Sequence, residues 1–149
     1  MYTSILVPIE DGETSERGLA EAISLAHLAG ARLEILHVVD EDPLLSAMPG
    51  LSAAEVTPSV EALHAEQLLS DAARKASVAG VDARIHRRDG EVGAVAAVIL
   101  AFAKKYGCSL IVMGTHGRRG LARLTMGSEA EQVVRESTVP VLLVPHRPA

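Results

Sequence analysis

The stretch Leu110-Ile-Val-Met113, then Gly114-Thr-His-Gly117-Arg-Arg-Gly120-Leu-Ala-Arg-Leu-Thr-Met-Gly127-Ser128, then Glu129 to Glu136, decides how this chain folds. The first four residues are an apolar run of strand character, and the last eight have the spacing of a helix. Between them lies a loop with glycines, with Arg118, Arg119 and Arg123, and with no acid. A strand, a glycine-bearing loop and a helix start together hold phosphate well. Glycines let backbone N–H groups approach an anion closely. The helix start adds unpaired N–H groups and about +0.5 charge of dipole. The three arginines give the loop +3 in a chain of formal net charge −5. Charge-assisted hydrogen bonds contribute about 1.5–3 kcal/mol each, so two or three support micromolar binding, about −8 kcal/mol. The competing reading is a solvated arginine face on an ordinary loop.

Working outward, the same alternation recurs along the chain. Ser4 to Ile9 is apolar on both faces, as a central parallel strand requires, with Pro8 near its end. Glu10-Asp11-Gly12-Glu13 forms a turn, with Thr14 or Ser15 as helix N-cap. Leu19, Ala22, Ile23 and Ala26 make one helical face, and Gly30 fits the C-terminal cap. Arg32 to Val39 is a second strand. Leu44 to Thr57 resists assignment, reading as a lid or as a disordered insertion. Pro58 opens a helix reaching about Ala79, with Ala65, Leu68, Ala72, Ala76 and Ala79 on its apolar face. Asp82 to Arg88 alternates as a strand near an edge and ends at Gly90. Val95, Val98, Ile99 and Phe102 form the face of a third helix. Ala130, Val133, Val134 and Ser137 mark a fourth, and Val141 to Val144 is the last strand. Five strands alternating with four helices predict a single α/β domain over residues 1–149, a doubly wound parallel sheet with helices on both faces. Ligands of such sheets sit at the carboxyl ends of the strands.

Composition agrees. Hydrophobic residues make up 48%, while aromatics are limited to Phe102, Tyr2 and Tyr106, so the core is aliphatic. The acidic balance argues against a general nucleic-acid partner. One cysteine, Cys108, excludes an internal disulfide. No apolar run reaches the length needed to span a bilayer, and the N-terminus enters a strand directly, so a soluble cytoplasmic protein is expected.

The loop is neither a Walker A loop nor a Gly-x-Gly-x-x-Gly fingerprint. Its pattern is Gly114-x2-Gly117-x9-Gly127-Ser128. That spacing resembles the nucleotide-binding branch of the universal stress protein family. Ile5-Leu-Val-Pro-Ile9, Leu36-His-Val-Val-Asp40, Leu110 to Gly117 and Val139 to Val144 resemble family segments in the same order, across essentially the whole chain. The resemblance implies a Rossmann-like sheet in the order 3-2-1-4-5, with ATP, or ADP or AMP, as ligand. It places Gly114, Gly117, Gly127 and Ser128 at the ribose and phosphates, flanked by Thr115, His116, Arg118, Arg119 and Glu129. Val38 meets the adenine through its backbone, beside Pro8 and Ile9. Glu10 stands where the family usually has Asp. The usual Asp-Gly-Ser is here Glu10-Asp11-Gly12-Glu13, which alters the ribose or metal contact.

Several residues have ordinary explanations as well. Ser128-Glu-Ala-Glu131 is a capping box, sufficient by itself to account for Ser128. His116 reads as a solvated or structural side chain, and His37 as a satisfied core histidine. No histidines show metal-ligand spacing. A magnesium ion would come with the nucleotide, shared with Asp11 or Glu10. No general base is evident beside the loop, so no catalytic residue is assigned, and turnover is at most slow ATP hydrolysis or autophosphorylation. The expected role is a stress sensor or regulator, with a nucleotide-free dimeric scaffold as the alternative. A receiver-type phosphorylation domain fits poorly, because no Lys follows the last strand. Val141–Val144 falls at the sheet edge, and the family resemblance implies a homodimer through it.

Overall fold

A computed structural model of the chain describes residues 1–41, 60–115 and 126–146. The strands are β1 (Ser4–Pro8), β2 (Arg32–Glu41), β3 (Ala83–Glu91), β4 (Leu110–Gly114) and β5 (Val141–Val144). The helices are α1 (Glu13–Ala29), α2 (Val60–Val78), α3 (Val95–Lys105) and α4 (Ser128–Glu136). All strand pairs are parallel, in the order β3-β2-β1-β4-β5. This is the Rossmann-like order that the family resemblance implied.

Strand side chains alternate between two aliphatic cores. Ile5, Val7 and Ile9 face α1 and α2, meeting Leu19, Ile23, Leu69 and Ala72. Leu6, Leu36, Ile111 and Met113 face α3 and α4, meeting Ile99, Phe102, Ala130 and Val133. Because each central strand is buried on both sides, it needs the unbroken apolar runs seen in the sequence.

Several local expectations are corrected. The N-cap of α1 is Gly12 at φ 116°, not Thr14 or Ser15. Both of those residues are buried inside the first turn. Gly30, at φ 65°, does cap the helix C-terminus. In α2, Ala65, Ala72 and Ala76 are buried as expected, but the buried leucine is Leu69, with Leu68 and Ala79 only partly buried. Pro58, proposed to open that helix, lies outside the described residues, as does Leu44 to Thr57. Gly90 does not end β3 but pairs with Asp40 inside it. A Cβ there would stand 3.3 Å from Val38 Cγ1 and 3.4 Å from Val98 Cγ2, so glycine keeps those residues close. In α3 the buried face is Ala96, Ile99, Phe102 and Ala103, a rotation away from Val95 and Val98. The N-cap of α4 is Gly127, with no side-chain cap hydrogen bond, so the capping box at Ser128 does not form.

Candidate functional site

A cleft of about 450 Å³ opens at the carboxyl ends of the strands. Pro8, Ile9 and Glu10 approach it from the end of β1, and Val38 from β2. Met113 and Gly114 enter from β4, Ser15 from α1, Val95 and Ile99 from α3, and Glu129 from α4. Six residues marked by the sequence reading therefore meet here: Pro8, Ile9, Glu10, Val38, Gly114 and Glu129. Ser15, Val95, Ile99 and Met113 were not foreseen.

The floor is fixed by hydrogen bonds from the strands themselves. The Ile9 N–H donates to the Leu36 carbonyl at 2.8 Å. The His37 Nδ1 hydrogen goes to the Ile9 carbonyl at 2.7 Å, because a carbonyl can only accept. His37 is thus a satisfied histidine, as read, and it also sets the position of the β1 end. Ser15 takes a different part from the cap assigned to it. Its hydroxyl accepts the Glu10 N–H at 2.8 Å and holds the turn against α1.

Close packing brings the helix start to the loop anchor. A Cβ on Gly114 would stand 2.6 Å from Thr14 Cγ2 and 3.1 Å from the Thr14 carbonyl oxygen. A Cβ on Gly18 would stand 3.3 Å from the Gly114 nitrogen. Two glycines therefore let α1 lie directly against the end of β4. The loop that follows is tied at its base. Thr115 donates its N–H to the Val144 carbonyl at 3.1 Å, and its own carbonyl accepts the Gly127 N–H at 2.7 Å. From there Ser128 opens α4, whose first N–H groups and positive dipole end lie at the cleft beside Glu129.

Asp11 goes elsewhere. Both of its carboxylate oxygens lie 2.8 Å from His64 Nε2 on α2, on the exposed side of the turn. It is absent from the cleft lining, whereas Glu10 is part of it. Among the described residues no group of three or more His, Cys, Asp or Glu side chains is arranged to hold a metal. His116, Gly117, Arg118, Arg119 and Arg123 lie outside the described residues.

The lining is chemically mixed. Val38, Val95, Ile99 and Met113 contribute apolar side chains, while Glu10, Ser15 and Glu129 contribute polar ones. Such a lining suits a ligand that joins a flat heteroaromatic group to a hydroxylated, phosphorylated portion. The residues missed by sequence reading are mostly the apolar ones. Their signal was the i, i+4 pair Val95 and Ile99, which was taken as core.

Comparisons with known proteins agree with this architecture. The sequence model of the Universal stress protein family matches residues 1–145. Universal stress protein YxiE of Bacillus subtilis is 34% identical over 97% of this chain and 99% of its own length. Universal stress protein MJ0531 of Methanocaldococcus jannaschii is 32% identical over 97% of this chain and 82% of its own. A crystal structure of a universal stress protein family member from Burkholderia pseudomallei superposes with TM-score 0.77 at 30% identity, covering 97% of each chain. The same fold is found in a universal stress protein in complex with cAMP, at 23% identity and TM-score 0.73 over 96% of this chain and 97% of that one. It is found again in the Archaeoglobus fulgidus protein in complex with dAMP, at 22% identity and TM-score 0.69 over 96% and 98%. With the sheet order, the cleft and these matches in agreement, this chain belongs to the universal stress protein family.

Proposed function

We propose that the chain binds an adenine nucleotide in the cleft between the ends of β1, β2 and β4, and acts as a cytoplasmic stress-response regulator with little or no turnover. The observation that carries this reading is the cleft at the carboxyl ends of the strands, which is lined by apolar and polar side chains together and includes Glu129 from the start of α4. Val38 offers backbone groups for the adenine edge. Glu10 faces the ribose. Gly114, Thr115, Gly127 and Ser128 frame the phosphates, with His116, Gly117, Arg118 and Arg119 completing the loop. ATP, ADP and AMP are all candidates, and the cAMP and dAMP complexes of proteins with this fold support an adenine ligand. A magnesium ion would arrive with the phosphates and be shared with Glu10, which lines the cleft, or with Asp11. The regulator acts as a homodimer through the open edge of β5.

The test is direct. The purified protein is denatured, and any released nucleotide is identified by chromatography and mass spectrometry. The protein is then titrated with ATP, ADP, AMP and cAMP. Adenine-nucleotide binding in the micromolar range is expected, about −8 kcal/mol. A protein that releases nothing and binds none of the four is a nucleotide-free scaffold, and the proposal fails.

A further inference from the structure

The outer edge of β3 combines an open backbone ladder with a one-sided cluster of cations. We propose that it docks an extended acidic segment of a protein partner, which adds to the sheet as a sixth strand. This inference is independent of the nucleotide reading.

The backbone comes first. Among the described residues β3 pairs only with β2, over the whole span from Ala83 to Glu91. The Leu33 N–H donates to the Asp82 carbonyl, so residue 82 turns its backbone toward β2. By strand alternation Arg84, His86 and Arg88 do the same. Ala83, Ile85, Arg87 and Asp89 then point their N–H and C=O groups outward, at the spacing an added strand would pair with, although the Arg87 carbonyl already accepts from the Arg88 side chain and would have to share or exchange that bond.

The side chains divide by face in the same alternation. Arg84, His86 and Arg88 lie on the α3 face. There Arg88 donates to the Tyr106 hydroxyl at 2.9 Å and to the Arg87 carbonyl at 2.8 Å. Its guanidinium carbon stands 5.4 Å from the Phe102 ring centre and 6.0 Å from that of Tyr106. Arg88 is therefore a cation already held in place, which lowers the ordering cost of an ionic contact. Lys105 Nζ lies 5.7 Å from the Tyr106 ring, and Arg32 reaches the same face from β2. Two acids share this face by the same alternation: Asp82, exposed at its start, and Glu34, which is 1% exposed and occupied by Arg32 at 2.9 Å and His86 at 2.6 Å. The other face carries Ile85, 46% exposed, and Arg87 paired with Asp89 at 3.2 Å.

Edge charges often serve only to prevent aggregation. Here cations predominate on one face, where Arg84, Arg88, Lys105 and Arg32 outnumber Glu34 and the exposed Asp82, and this discriminates between partners. A second copy of β3 would bring its own Arg84 and Arg88 against this row, and like charges across strands are destabilising. A strand with acids on the α3 face and β-branched residues beside Ile85 meets no such penalty. The chain carries formal net charge −5, so this cationic face is a local feature rather than a general one.

The probe is a labelled heptapeptide of alternating Glu and Val, compared with one of alternating Lys and Val, by fluorescence anisotropy on the full chain. The Glu/Val peptide is expected to bind about tenfold or more tightly than the Lys/Val peptide, and to weaken as salt rises. The exposed double substitution Arg84→Glu/Lys105→Glu should weaken it by about tenfold. Hydrogen exchange should show new protection at the Ile85 and Arg87 amides, and Ile85→Pro, which removes an outward N–H, should abolish binding. The proposal is overturned by equal binding of the two peptides, by binding indifferent to Arg84→Glu/Lys105→Glu, or by protection at β5 instead. It is also overturned if oligouridylate binds the same edge more tightly than the peptide, or if the protein alone dimerises through β3.

Discussion

Gly114→Ala is the substitution for which the structure gives the sharpest expectation. The new Cβ would lie 2.6 Å from Thr14 Cγ2, against an ordinary contact of 3.4–4 Å. One of the two must retreat by about 1 Å, which in a packed interior costs about 1–3 kcal/mol. Thr14 has little freedom to yield. It is 8% exposed, β-branched, and its Oγ1 lies 3.4 Å from His146 Nδ1. Rotating its side chain would leave the second obstacle, the Thr14 carbonyl oxygen at 3.1 Å, which belongs to the first turn of α1. For a chain of this length the cost corresponds to a fall in Tm of about 3–9 °C. Urea unfolding followed by far-ultraviolet circular dichroism measures it, since the chain has no Trp. The Thr14→Ser/Gly114→Ala pair removes the methyl group at the tightest contact, and a double-mutant cycle should show positive coupling of at least about 0.5 kcal/mol. A Gly114→Ala protein with an unchanged unfolding midpoint, or a cycle with no coupling, would refute the claim that glycine is required there for close approach.

Three further outcomes follow from packing and charge. Glu34→Ala removes a carboxylate that is 1% exposed and leaves Arg32, 39% exposed, and His86, 15% exposed, without their shared acceptor; because Arg32 can reach water, the cost in urea unfolding should be about 1–3 kcal/mol. Cys108 has its thiol pushed above the ordinary value of 9.0, chiefly by burial, with the Ser4 hydroxyl at 3.8 Å opposing. Its contribution is therefore fully present below about pH 9 and is lost as pH rises, because the unfolded thiol ionises first. Stability should fall more steeply above that pH than in Cys108→Ala, and two parallel profiles would contradict this. For the proposed β5 dimer, Val141 and Leu143 are unsuitable sites for Lys, since both pack on the core beneath α3 and α4. Leu142 is 37% exposed, so Leu142→Lys should halve the molar mass in solution while leaving the Tm nearly unchanged. A dimer that persists would place the interface elsewhere.

The fold was legible because its central strands are buried on both faces and announce themselves as apolar runs. Ile5-Leu-Val and Leu110-Ile-Val could hardly be anything else, and the glycine spacing pointed to the end of the sheet where the cleft opens. Helix phase was less legible. In α3, small residues such as Ala96 and Ala103 face the core, and Ile99 belongs to the core and, with Val95, to the cleft lining as well. A pattern scored on hydrophobicity alone cannot tell a core face from an apolar ligand chamber, because both exclude water. Caps were misread for a related reason. Thr14, Ser15 and Ser128 have the right chemistry for capping, but Gly12 and Gly127 take the N-cap positions. Ser15 bonds to Glu10 instead, and only the tertiary approach of β1 to α1 determines that. Asp11 was read as a candidate ribose or metal contact because Glu10-Asp11-Gly12-Glu13 stands in place of the family's Asp-Gly-Ser. Its pairing with His64, 53 positions along the chain, had no local signal.

The hydrogen bond between Gly127 and Thr115 separates the chain into a frame and an insert. The residues that flank 116–126 are held together by that bond, within the sheet and α4. Changing the insert by a few residues alters its closure entropy by only a few tenths of a kcal/mol. On the proposed nucleotide reading, exchanging that segment is expected to shift ligand preference at little cost in stability. Grafting insert sequences of other lengths between Thr115 and Gly127, and comparing unfolding midpoints with nucleotide preference, would separate the two. Folding lost along with binding would show that frame and insert are not independent.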